Sequence, residues 1–282
     1  MGGGSKQLTS LYVNKDGSNK QLNNAYANIN GSSKEIFKSF LLLGNVSAGS
    51  IVKFNTTLSG TNKLTDFIVL GPSKVGDTIL LLQRYSYGDG ELIPFNSDGS
   101  NHYYNSEMDE YLSVNSSYTY ISGYKSNYKS NLDESIRNKL VKTMIKTACI
   151  RSCIKNNNAD IVNKEQRDIF LLCEKEVGFI IGASPNYDDG NSYLDVLKIA
   201  TGENESYKAR AFKTEAGNIS GYWLRDEALN NKVNAIYYSP DGSHEECDRI
   251  SIEPTDRYGI RPALSFDKST LVDKSSFTLV SN

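Results

Sequence analysis

The chain has 282 residues, 38% hydrophobic and 23% charged, which suffices for one large or two modest cores and excludes wholesale disorder. Its net charge is −2 with no cluster of Lys and Arg, which excludes the basic footprint of a nucleic-acid partner. Its four cysteines, Cys149, Cys153, Cys173 and Cys247, contain no C-x-x-C and are joined by two histidines, so no metal or other cofactor is expected and the thiols read as buried and reduced.

The opening Met1-Gly2-Gly3-Gly4-Ser5 has neither a basic n-region nor an apolar h-region. The longest apolar runs, Phe40 to Leu43 and Ile79 to Leu82, are too short to span a bilayer, so neither secretion nor membrane insertion is expected. The first organised feature is an internal repeat. Tyr12-Val13-Asn14-Lys15-Asp16-Gly17-Ser18, continuing to Leu22, is echoed 14 residues on by Tyr26-Ala27-Asn28-Ile29-Asn30-Gly31-Ser32, continuing to Ile36. Each unit reads strand, turn, strand, because glycine after Asp or Asn accepts the positive φ of a two-residue hairpin turn. Two such hairpins bury too little surface to stand alone. Residues 1–46 are therefore expected to form a β-hairpin repeat module that docks elsewhere, with residues 49–282 as the main domain beyond the small-residue stretch from Gly44 to Ser50.

In the main domain, strands are expected from Ile51 to Phe54, Asp66 to Leu70 and Thr78 to Arg84, with turns at Ser59-Gly60 and Gly71-Pro72. Ser106 reads as the N-cap of a helix ending at Leu112, with Glu107 and Asp109 in its first turn. Leu132, Ile136, Leu140 and Met144 recur at four-residue steps and predict a second helix. Strands follow at Thr147 to Ile154, Asp168 to Cys173, Gly221 to Leu224, Asn234 to Tyr238, Arg249 to Ile252 and Tyr258 to Ser265, with a turn at Pro240-Asp241-Gly242. Two helices among many short strands predict an α+β fold.

Several segments, in chain order, resemble the signature of an uncharacterised domain family of Gram-positive prophages, tail proteins and bacterial surface proteins. They are Gly49 to Phe54, Tyr104 to Leu112, Asp168 to Gly178, Gly221-Tyr222-Trp223-Leu224-Arg225, and Gly259-Ile260-Arg261-Pro262-Ala263-Leu264. The resemblance implies a C-type-lectin-like scaffold, distantly similar to that of the formylglycine-generating enzymes, and implies no known activity. The chain departs from the family at Tyr222, in place of a second Trp, and at Asp226-Glu227, in place of Ser-Pro. The N-terminal Tyr-Val-Asn-x-Asp-Gly unit resembles short repeats at the start of phage tail and baseplate proteins.

Trp223, Arg225, Gly259, Arg261 and Pro262 read as a structural signature, the Trp as a core anchor and the arginines as ties to loop carbonyls or carboxylates. Chemistry of the formylglycine-generating type needs a cysteine pair near the C-terminus. Cys247 is the single cysteine there, so no catalytic residue is expected. His102 and His244 read as solvated loop residues. A binding surface is expected instead on Tyr237, Tyr238, His244, Glu245 and Asp248, and a second on Tyr118, Tyr120, Tyr124 and Tyr128, since tyrosine supplies rigid contact area at low entropic cost. The expectation is a non-enzymatic structural or receptor-binding component of a phage tail, baseplate or tail-like bacteriocin, made in the bacterial cytoplasm and assembled into the particle. Its expected partners are other tail or baseplate subunits, through residues 1–46, and a host surface glycan or protein. The alternative is a free-standing carbohydrate-binding or adhesin module.

Overall fold

The computed structural model describes residues 11–15, 18–22, 24–29, 32–58, 61–73, 78–85, 92–113, 127–149, 161–179, 192–210, 221–228, 231–237 and 248–280. Two antiparallel hairpins come first, β1 (Leu11–Lys15) with β2 (Ser18–Leu22), and β3 (Asn24–Ile29) with β4 (Ser32–Lys38). The closing pairs Lys15–Ser18 and Ile29–Ser32 frame Asp16-Gly17 and Asn30-Gly31, which themselves lie outside the described residues. The two ladders share one register. Tyr12–Gln21 through Lys15–Ser18 recur as Tyr26–Glu35 through Ile29–Ser32, until a bulge between Ala25 and Tyr26 ends the match.

The main body follows in chain order: β5 (Phe40–Leu42), β6 (Ile51–Leu58), β7 (Thr61–Pro72), β8 (Thr78–Gln83), β9 (Ile93–Pro94), α1 (Glu107–Ser113), α2 (Glu134–Arg137), β10 (Thr143–Cys149), β11 (Ile161–Arg167), β12 (Ile169–Phe170), α3 (Leu194–Thr201), α4 (Ser206–Arg210), β13 (Tyr222–Ala228), β14 (Lys232–Tyr237), β15 (Asp248–Ile252), β16 (Arg257–Tyr258), β17 (Ala263–Asp267) and β18 (Leu271–Asp273). Its centre is a five-stranded antiparallel sheet in the order β12-β17-β8-β7-β6. All of β8 is buried, as its uninterrupted Ile79-Leu80-Leu81-Leu82 run requires, because a strand covered on both faces has no polar face to alternate with. The Phe54 ring stacks on Phe67 at 3.9 Å and meets the edge of Phe266 at 5.8 Å, so strands from both halves of the body share one core. A three-stranded sheet, β13-β14-β15, packs its buried faces into the same core. β5 pairs with β18, and Leu43 and Val46 are buried, so residues 40–46 pack with this body, after the hairpins of residues 11–38.

Among the described residues strand far outweighs helix, and this overturns the expected α+β class and its two-helix, lectin-like layout. One misread segment is the four-residue recurrence from Leu132 to Met144. Leu132 and Ile136 are buried around the single turn of α2, but Leu140 forms an antiparallel bridge to Phe266 and the chain is strand from Thr143 onward. Thr143, Ile145 and Thr147 are buried in alternation. A step of four is also a multiple of two, so it suits either element, and the β-branched residues at 143, 145 and 147 favour the strand. Helix α1 stands where its cap placed it: Ser106 Oγ accepts the Asp109 N–H at 3.1 Å. Among the described residues no helix is long and apolar enough to cross a membrane.

Candidate functional site

Every residue of β13 is buried, including three charged ones, and this strand organises the body. Its ladder with β14 jumps from Trp223–Ala235 to Glu227–Val233, so Leu224, Arg225 and Asp226 stand against Asn234 alone. Such a bulge re-aims successive side chains. The strand begins beside Gly221, where a Cβ would lie 2.6 Å from the Ile236 carbonyl oxygen.

Four polar or aromatic side chains in and beside the bulge reach distant parts of the chain. Trp223 donates its indole N–H to the Ile93 carbonyl at 2.8 Å and packs between Phe95 and Tyr258, ring centres 5.5 and 5.3 Å away. Arg225 donates Nε to the Lys146 carbonyl (3.0 Å) and Nη1 to the Leu171 carbonyl (2.7 Å). It also forks onto Glu176, Nη1 to Oε2 at 2.6 Å and Nη2 to Oε1 at 3.2 Å. Asp226 accepts the Glu174 N–H. Glu227, 1% exposed, contacts His102 Nδ1 through Oε1 at 2.5 Å. The second arginine of the signature, Arg261, donates Nε to the Gln83 carbonyl at 2.9 Å and lies over the Tyr222 ring. Burial lowers its guanidinium pKa from the ordinary value. Gly259 accepts the Trp223 backbone N–H, and the Pro262 carbonyl accepts that of Gln83.

Two buried acids flank this network. Burial pushes the Cys173 thiol well above its ordinary pKa, so at neutral pH it is a protonated thiol and no nucleophile. The Tyr103 phenol is likewise raised by burial, and its oxygen accepts the Leu171 N–H. Nearby, Arg167 grips Asp109 through two bonds of 2.8 and 2.7 Å, and that hydrogen bonding raises the guanidinium pKa. Beside the Arg225–Glu176 pair lies a cavity of about 60 Å³, lined in part by Leu80, Thr143, Ile145 and Phe170. Among the described residues no group of three or more His, Cys, Asp or Glu could hold a metal ion.

The expected structural signature is thus gathered at one place. Of the expected binding surfaces the described residues include only Tyr237, Asp248 and Tyr128. Tyr237 and Asp248 pair across β14 and β15, while Tyr238, His244, Glu245, Tyr118, Tyr120 and Tyr124 lie outside the described residues. Tyr128 is 1% exposed and donates its hydroxyl to Gln83 Oε1 at 2.7 Å, so it is a core residue and not a surface one. His102 is not simply solvated, since it meets a carboxylate 125 positions away. The one local signal for that pairing was Asp226-Glu227, two acids at the end of a strand that opens with Tyr222-Trp223-Leu224.

A family model described as Domain of unknown function (DUF6273) matches residues 76–268, more than half of the chain. That span runs from β8 through β17 and includes the whole bulged network, but not the hairpins. No curated protein and no solved structure matches the chain.

Proposed function

The chain belongs to the DUF6273 family, and we propose that it is a non-enzymatic structural or receptor-binding component of a phage tail, baseplate or tail-like bacteriocin, attached by its N-terminal hairpins. The observation that carries this reading is the pair of hairpins in one register, neither joined by a further strand among the described residues. Edge strands with unpaired N–H and C=O groups are templates for pairing with another chain. A repeated register offers the same template twice, which suits a repeated partner. The body supports a role in rigid presentation, because Trp223, Arg225, Asp226 and Glu227 all make bonds inside it.

Deleting residues 1–38 tests the reading. The remaining chain is expected to fold, stay soluble and fail to enter particles when co-expressed with the other tail components. Normal incorporation of the truncated chain, or failure of the body to fold without the hairpins, would overturn it.

A further inference from the structure

We infer that the cavity beside Arg225 and Glu176 is a subsite for the acetamido group of an N-acetylated sugar, an inference that rests on the receptor-binding side of the reading above. Its volume of about 60 Å³ admits about four water-sized groups, enough for an amide and its methyl but not for a sugar ring. The lining is of mixed character. Leu80, Ile145 and Phe170 are buried and supply an apolar wall, and Thr143, Glu176 and Arg225 supply polar groups.

Glu176 gives the site its direction. Its Oε2 accepts the Cys173 N–H at 2.8 Å and Arg225 Nη1 at 2.6 Å. Among the described residues its Oε1 has one long bond, 3.2 Å to Arg225 Nη2, and a carboxylate oxygen can accept two. Oε1 is therefore suited to one more donor. A cation entering here would lie against the Arg225 guanidinium and an anion against Glu176, so the pair favours a neutral ligand. A neutral group with an N–H donor and a methyl for the apolar wall is an acetamide. Ser73, Met144 and Lys146, which also line the cavity, are partly exposed, and the sugar ring would lie toward them.

The test uses the full-length chain titrated with N-acetylglucosamine, glucosamine and glucose, followed by calorimetry and by magnetisation transfer from protein to sugar. N-acetylglucosamine is expected to bind about tenfold or more tightly than the other two, with transfer strongest at the acetyl methyl. Ile145→Phe, which fills the cavity, should weaken binding about tenfold or more. Leu80→Phe, which fills it from another strand, serves if the first variant does not fold. Equal affinity for glucose, transfer centred on ring protons, undiminished binding by a folded filled variant, or no binding of N-acetylglucosamine would each overturn the subsite. The attachment reading is scored separately, by entry of the chain into particles.

Discussion

The hairpins at residues 11–38 and the bulged strand β13 hold their neighbours in different ways. Each hairpin is a two-stranded ladder whose partner is its own sequence neighbour. β13 is fastened by side chains to elements far away in sequence, Trp223 to Ile93 across 130 positions and Glu227 to His102 across 125. A lone two-stranded hairpin is at best marginally stable in water, whereas a strand held by four anchoring side chains is over-determined. On the proposed reading, the body keeps its own stability and the hairpins hold capacity for association.

The largest expected effect sharpens the β13 side of that contrast. Removing one member of the buried pair, by Arg225→Met or Glu176→Leu, should cost about 3–5 kcal/mol in urea unfolding, because the surviving charge is left buried without its partner. The double variant should cost clearly less than the sum. Additive losses in that cycle would show that the two side chains do not act as a pair.

Trp223→Ala follows, with an expected loss of about 3–5 kcal/mol, since the ring is fully buried and its N–H is bonded. A loss below about 1 kcal/mol would mean that β13 is not the anchor of the body.

A smaller effect concerns pH. The raised Cys173 thiol keeps its proton in the folded chain, while the unfolded chain loses it above about pH 8.5. The associated stability is fully present below that pH and declines as pH rises toward the folded value, by about 1 kcal/mol per unit. Between about pH 8.5 and 10, below the range of ordinary tyrosines, Cys173→Ala should flatten this decline. An unchanged slope in the variant would show that the thiol does not report burial of the core.

The smallest change is expected on the hairpin side. Val13→Pro or Ala27→Pro removes one backbone donor from a ladder. The main unfolding transition should move by less than about 0.5 kcal/mol while entry into particles falls. A shift above about 1 kcal/mol would show that hairpins and body unfold as one unit and would break the comparison.

Much of the local architecture was legible. The repeat, its turns framed by Lys15–Ser18 and Ile29–Ser32, the central strands β6 to β8 and the Ser106 cap all follow from signals within a few residues of one another. Other features were misread for a definite reason. The span from Tyr258 to Ser265, expected as one strand, is two, because Gly259 to Pro262 bond to Gly221, Trp223 and Gln83 in place of a continuous ladder. Gly71-Pro72, expected as a turn, ends a twelve-residue strand, with Gly71 taking a φ of 110° at a bulge.

By itself the sequence determined where hairpins form, which apolar runs become central strands, and which residues stand out as a signature, since turn chemistry, periodicity and residue type are local properties. Only the tertiary structure decided that Leu140 and Thr143 extend into strand pairing and that His102 meets Glu227. It also decided that Arg225 and Glu176 share a cavity with Ile145 and Leu80. Those outcomes depend on the free energy of burying charges and closing long loops together, and a short stretch of chain does not contain the partner that repays either cost.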